Sequence, residues 1–220
     1  MRNLRVRGCL RARTAGYLLA VLPSSLVLAT VLLFLSARSL AEQPWKTTRT
    51  ADGLKLETRP VDGSTFEEVK VTTQSEKPLS SLCAAVWGRN AKVEGHFKKR
   101  VVIRESDTDR WTYEQLKVPI VTDRDVVVHS QLVATADTGR CEVQFEAAED
   151  PEYPTAKGHV RVTTLHGRWT LEPTADGKVD ITYIVYGEPG GKIPAWLSRG
   201  GNRDAALIFM KTILSRADQQ

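Results

Sequence analysis

Reactive side chains are scarce in this 220-residue chain, which has three cysteines, four histidines and two methionines. Cys9, Cys83 and Cys141 are too few and too scattered for a structural zinc set. His96, His129, His159 and His166 show no metal-ligand spacing among themselves, and no Gly-x-Ser-x-Gly nucleophile turn occurs. Gly187 to Ile193 fails as a phosphate loop: three residues separate Gly187 from Gly191, and Ile193 stands where Ser or Thr would bind magnesium. Neighbouring carboxylates such as Glu67 and Glu68 alternate across a strand and cannot converge on one substrate. Repeats and low-complexity tracts are missing too. These absences argue against a catalyst and predict neither metal nor cofactor.

Acidic residues are wholly lacking from the first 41 positions. Arg2, Arg5, Arg7, Arg11 and Arg13 instead precede an apolar run from Tyr17 to Leu35, and Ser39, Leu40 and Ala41 offer small residues at signal-peptidase spacing. Residues 1–41 therefore read as a cleaved signal peptide with Glu42 as the mature N-terminus; a retained membrane anchor is the alternative, weakened by Pro23. Either way the folded part is expected to be exported, periplasmic or secreted. Six of the 31 basic residues lie in this leader, which leaves 25 against 26 acidic ones, a mature charge near −1. So balanced a domain lacks the electrostatic footprint of a nucleic-acid binder. In an oxidising compartment Cys83 and Cys141 could pair; the simpler expectation is that both are buried and free.

Within the mature part, residues 42–52 are polar and read as a linker, and residues 53–220 as one domain. Alternation of period two predicts half-buried strands at Leu54–Thr58, Phe66–Thr72, Val101–Arg104, Trp111–Lys117, Val126–Ala134, Cys141–Ala147, around Val160 to Leu171, and at Val179–Tyr186. Leu79, Leu82, Cys83 and Val86 have helical spacing behind Pro78, and Gly88 ends that helix. A final helix from about Pro194 to Ala217 carries an apolar stripe of Ala206, Met210, Ile213 and Leu214, with a break expected at Gly200 and Gly201. Strands in the middle with helices before and after predict an α+β antiparallel fold. A curved sheet followed by one hinged helix is also a way to build a closable apolar cavity.

Three segments resemble the steroidogenic-acute-regulatory-related lipid-transfer (START) family, nearest to its phosphatidylcholine-carrier branch. They are Trp111, Tyr113 and Glu114 leading through Pro119 to Asp123-Arg124-Asp125; Tyr153-Pro154 to Gly158 and Val160-Arg161-Val162; and Glu188-Pro189-Gly190-Gly191-Lys192-Ile193-Pro194-Ala195-Trp196-Leu197. The resemblance covers roughly residues 50–217 and implies a helix-grip fold, a bent antiparallel sheet wrapped around a long C-terminal helix with lipid in the tunnel between. It departs from the family at Ser130, where an arginine is common, and at Glu188, where aspartate is usual.

The resemblance implies a non-catalytic carrier of a lipid or sterol-like molecule, monomeric and in transient contact with membranes. Candidate lipid-binding residues at the tunnel or its mouth are Trp111, Tyr113, Val126, Val128, Ser130, Val143, Phe145, Arg161, Trp196 and Met210. Candidate gate residues are Gly190, Gly191, Pro194, Gly200 and Gly201, with residues 150–158 as a second lid. Arg161 is expected either at a polar head group or in water, and Arg124 with Asp125 in a structural turn-to-strand contact. The basic run Lys98-Lys99-Arg100 reads as a solvated face that could also steer the protein to anionic lipid. Two alternatives remain: a helix-grip cyclase or dehydratase drawing on Glu114, Gln115 or His129, and a lipid sensor acting through a protein partner.

Overall fold

The computed structural model describes residues 43–88, 97–118, 121–193 and 195–218, with the side chains of 195–199 left aside. The leader, Pro119, Pro194 and the Trp196 side chain lie outside the described residues. Ten strands form one sheet: β1 (Lys46–Ala51), β2 (Leu54–Pro60), β3 (Glu67–Ser75), β4 (Phe97–Glu105), β5 (Asp109–Leu116), β6 (Asp123–Ala134), β7 (Cys141–Ala148), β8 (His159–Arg161), β9 (Thr164–Pro173) and β10 (Val179–Glu188). The helices are α1 (Leu79–Trp87) and α2 (Ala195–Arg216). Strand order is β1-β2-β3-β10-β9-β7-β6-β5-β4, antiparallel throughout, while short β8 pairs in parallel with the start of β6. The expected α+β antiparallel class is what forms.

Two expectations about segments fail here. Residues 46–51, read as linker, form the edge strand β1, and the compact unit begins at Gln43. Their side chains are nearly all exposed, so no apolar alternation marked them; backbone pairing with β2 makes the strand. The break expected at Gly200 and Gly201 is not there either, since α2 runs through both without interruption. A Cβ at either glycine would meet nothing within 4 Å. Their cost of about 1 kcal/mol each is conformational, and packing of the apolar stripe outweighs it.

Cross-strand partners share a face, so the registers sort the sheet into two sides. One side carries Leu54, Leu56, Val69, Val71, Val179, Ile181, Tyr183, Trp169, Leu171, Cys141 and Val143. These residues, with Leu82, Met210 and Ile213 from the helices, make the core. Helix α2 lies on β3, β10 and β2, and α1 lies on β9 and β7.

The curl of the sheet follows from one aromatic ring. Phe209 on α2 lies 6.3 Å from the Tyr183 ring on β10 and 5.6 Å from the Phe97 ring on the far edge strand β4. Five strand steps separate β10 from β4, about 24 Å in a flat sheet. A single phenylalanine can touch both only if the sheet bends around the helix. Register shifts within the pairings of β4 with β5 and β6 with β7 supply local bending.

Cys83 and Cys141 form a disulfide, Cα atoms 5.8 Å apart, joining α1 to β7. The expectation of free cysteines is thereby overturned. Both side chains belong to the concave core, where α1 is laid directly on β7, and sequence spacing could not show that proximity.

Candidate functional site

On the concave side of β4 to β7 the registers gather Val126, Val128 and Ser130 of β6, Val143 and Phe145 of β7, and Thr112 and Glu114 of β5. Val126, Val128 and Val143 are buried. The Phe145 ring stands 6.1 Å from Tyr183, which is itself stacked on Trp169 at 4.1 Å. With Phe209 and Phe97 this makes an aromatic cluster between sheet and helix that the sequence reading missed. Phe97, Trp169, Tyr183 and Phe209 were each legible as apolar, but their convergence depends on the curl.

Few polar groups enter this surface. Glu114, 8% exposed, accepts from Arg100 Nε at 2.7 Å and from Thr112 Oγ at 3.3 Å. Arg110 faces the same side opposite Ser130, pairs with Glu105, and lies 4.4 Å over the Trp87 ring. Burial first, and then the Glu114 carboxylate, push the Tyr183 phenol well above its ordinary value. Tyr183 therefore stays neutral, and Glu114 is compensated by its arginine.

Trp111 and Tyr113 are not part of this surface. Their partners His129 and Val127 face the opposite side, and so do they. Trp111 stacks on His129 at 4.1 Å under the Arg104 guanidinium. Tyr113 packs on Tyr153 and donates to Asp125 Oδ2 at 3.0 Å. The reason is that residues 150–161 cover this end of the outer face, so apolar side chains are buried on both sides and alternation cannot say which is which.

Asp125 organises that cover. It is fully buried and accepts Arg161 Nε and Nη2, both at 3.0 Å, the Ala156 N–H at 2.7 Å and the Tyr113 hydroxyl. Burial is the largest single influence and raises its pKa, but the donors together hold it below the ordinary carboxylate range. Arg161 also donates to the Tyr153 carbonyl at 2.9 Å. Arg161 thus stands neither in water nor on the concave side, and residues 150–158 are fastened to the outer face.

The neighbouring Arg124 points the other way. Only 2% exposed, it donates to the carbonyls of Pro189 and Gly190 at 3.0 Å each and to Thr122. Arg124 and Asp125 are both structural, as expected, though each holds a different segment. Gly190 and Gly191 both have φ of +66°, which side chains rarely adopt, and a Cβ on Gly190 would press the Arg161 carbonyl at 3.2 Å. Met210, on α2, is fully buried in the core.

A curled antiparallel sheet closed over a C-terminal helix, with an aromatic and aliphatic inner lining, defines a helix-grip binding domain. The chain belongs to the START-domain family, whose model matches residues 26–220. An uncharacterised protein of Pseudomonas aeruginosa is 33% identical over 202 residues, 88% of this chain and 96% of that protein. The crystal structure of a STAR-related lipid transfer protein from Xanthomonas axonopodis superposes with TM-score 0.69 at 29% identity, covering 79% of this chain and 98% of that one. Human StAR-related lipid transfer protein 5 shares the fold, with TM-score 0.66 at 17% identity over 89% of this chain and 94% of its own.

Proposed function

We propose that this protein binds one lipid or sterol-like molecule between the concave face and α2 and carries it between membranes. The observation that carries the reading is the Phe209 ring meeting both Tyr183 and Phe97, which makes α2 the closing wall of an apolar and aromatic surface. Burying an acyl chain gains about 0.8 kcal/mol per methylene, so affinity needs no charged anchor. Val126, Val128, Val143 and Phe145 would meet the hydrocarbon, and the compensated Glu114 with Ser130 and Thr112 would meet its polar end. Catalysis is not proposed, because the Glu114 carboxylate is held by Arg100.

Admission of lipid is proposed to use the turn at Gly190 and Gly191, with Pro194 beyond it, as a hinge for α2. Export is proposed from the basic-then-apolar leader, and the disulfide supports it because such bonds persist in oxidising compartments. The protein would act as a monomer with transient membrane contact.

Native mass spectrometry of protein purified from its own host should show an added mass of lipid size. Joining α2 to β4 through the pair Phe97→Cys and Phe209→Cys should abolish lipid exchange with vesicles and restore it on selective reduction. Full-rate exchange by the cross-linked protein would refute the proposed door.

A further inference from the structure

The outer face holds a hollow of ≈290 Å³, lined by Glu68, His129, Gln131, Gln144, Glu146, His166, Arg168 and Ile184, with the edges of Phe145 and Gly167 at its floor. The registers put His129, Glu146 and His166 side by side on β6, β7 and β9, with Gln131, Gln144 and Arg168 as the adjoining row. The thickness of the sheet separates this cleft from the concave surface.

Its hydrogen-bonding character follows from partners outside the cleft. A carboxylate only accepts, so the Gln131 amide nitrogen must face Asp109 at 3.0 Å and the Gln144 amide nitrogen must face Glu142 at 2.9 Å. Both amide oxygens are left over as acceptors. By the same reasoning His129 Nε2 donates to Asp109 at 2.9 Å, and stacking on Trp111 fixes the plane of the ring. Glu68 is already paired with Arg59. Among the described residues the side chains of Glu146 and Arg168 make no ion pair or hydrogen bond. One end of the cleft is therefore rich in acceptors around an unpaired carboxylate, and the adjoining row ends in an unpaired guanidinium. His, Asp and Glu do not converge there at metal-ligating geometry among the described residues.

We infer that this cleft binds a small zwitterion, an ammonium group on Glu146 and the two glutamine oxygens with a carboxylate or phosphate a few bonds away on Arg168. A free amino acid and an aminophospholipid head group both have that chemistry. The two carboxylate-tied amides are already turned to receive N–H donors, so binding costs no rearrangement of the sheet.

The test is a two-dimensional NMR titration of the whole mature protein with a panel of free L-amino acids and, separately, with phosphoethanolamine. Binding should shift the backbone amides of residues 129–131, 144–146 and 166–168, and the probe that acts identifies the source. N-acetylation of that probe, or Glu146→Gln, should weaken binding about tenfold or more, the size of one charge-assisted hydrogen bond. Arg168→Ala should erase preference for the anionic probe over its amide. Both substituted side chains are exposed, so the fold should persist, and lipid mass in the native spectrum should be unchanged. Absence of shifts in these three segments with every probe, or equal binding of the N-acetylated form, overturns the inference.

Discussion

The two faces of the sheet are built on opposite principles. The concave face is largely apolar and aromatic; of its few charges, Glu114 pairs with Arg100 and Arg110 with Glu105, while Arg124 is tied to backbone carbonyls. The outer face is divided: one end is sealed by residues 150–161 through Asp125, while the middle is an open polar cleft. A non-directional surface tolerates many shapes of greasy guest, whereas directed hydrogen bonds fix geometry. The same strands can therefore offer adaptable contact on one side and rigid support on the other.

Four variants break or sharpen that contrast. Replacing the disulfide by Cys83→Ala with Cys141→Ala opens a loop of 58 residues and should cost about 4 kcal/mol in urea unfolding. Lipid load should fall with it, because α1 covers the concave core. Asp125→Asn on the outer face should cost about 3 kcal/mol by leaving the part-buried Arg161 without its anion, yet the folded fraction should carry lipid normally. The Asp125 pKa is depressed in the fold, so its contribution is present above the unfolded value of about 4 and is lost as pH falls through the lower folded value. An acid titration of stability should thus be flatter in Asp125→Asn than in the parent.

Gly167→Ala should cost about 2 kcal/mol, since its Cβ would meet the Ile184 carbonyl at 2.3 Å and the Phe145 ring at 2.4 Å. Displacing that ring into the concave space should also lower lipid occupancy. The smallest change is Gly200→Ala, which should stabilise by about 1 kcal/mol and leave both faces as they are. A thermal melt reads it.

Most of the fold was legible because alternation and helical spacing survive wherever one side of an element is wet. It failed at β1, whose side chains are exposed on both sides, and at Gly200 and Gly201, where tertiary packing overrides propensity. Half of the candidate lining, Val126, Val128, Ser130, Val143 and Phe145, does share the concave face. Trp111 and Tyr113 do not, since alternation couples neighbours on one strand but leaves the choice of face to the register. Arg161 was undecidable because its partner Asp125 lies 36 residues away, brought close by parallel pairing of β8 with β6. Pro194 and the Trp196 side chain stand outside what the structure describes.

The two helices are tethered very differently. A covalent staple secures α1, while the ion pairs of α2 include Arg203 to Glu67 and Lys211 to Asp52, with Lys77 to Asp218 just past its end, all of them reachable by water. Ion pairs of this sort fade as dissolved ions accumulate, and a charged bilayer concentrates counter-ions against whatever touches it. High salt would then loosen α2 from the sheet while leaving the disulfide-held α1 in place.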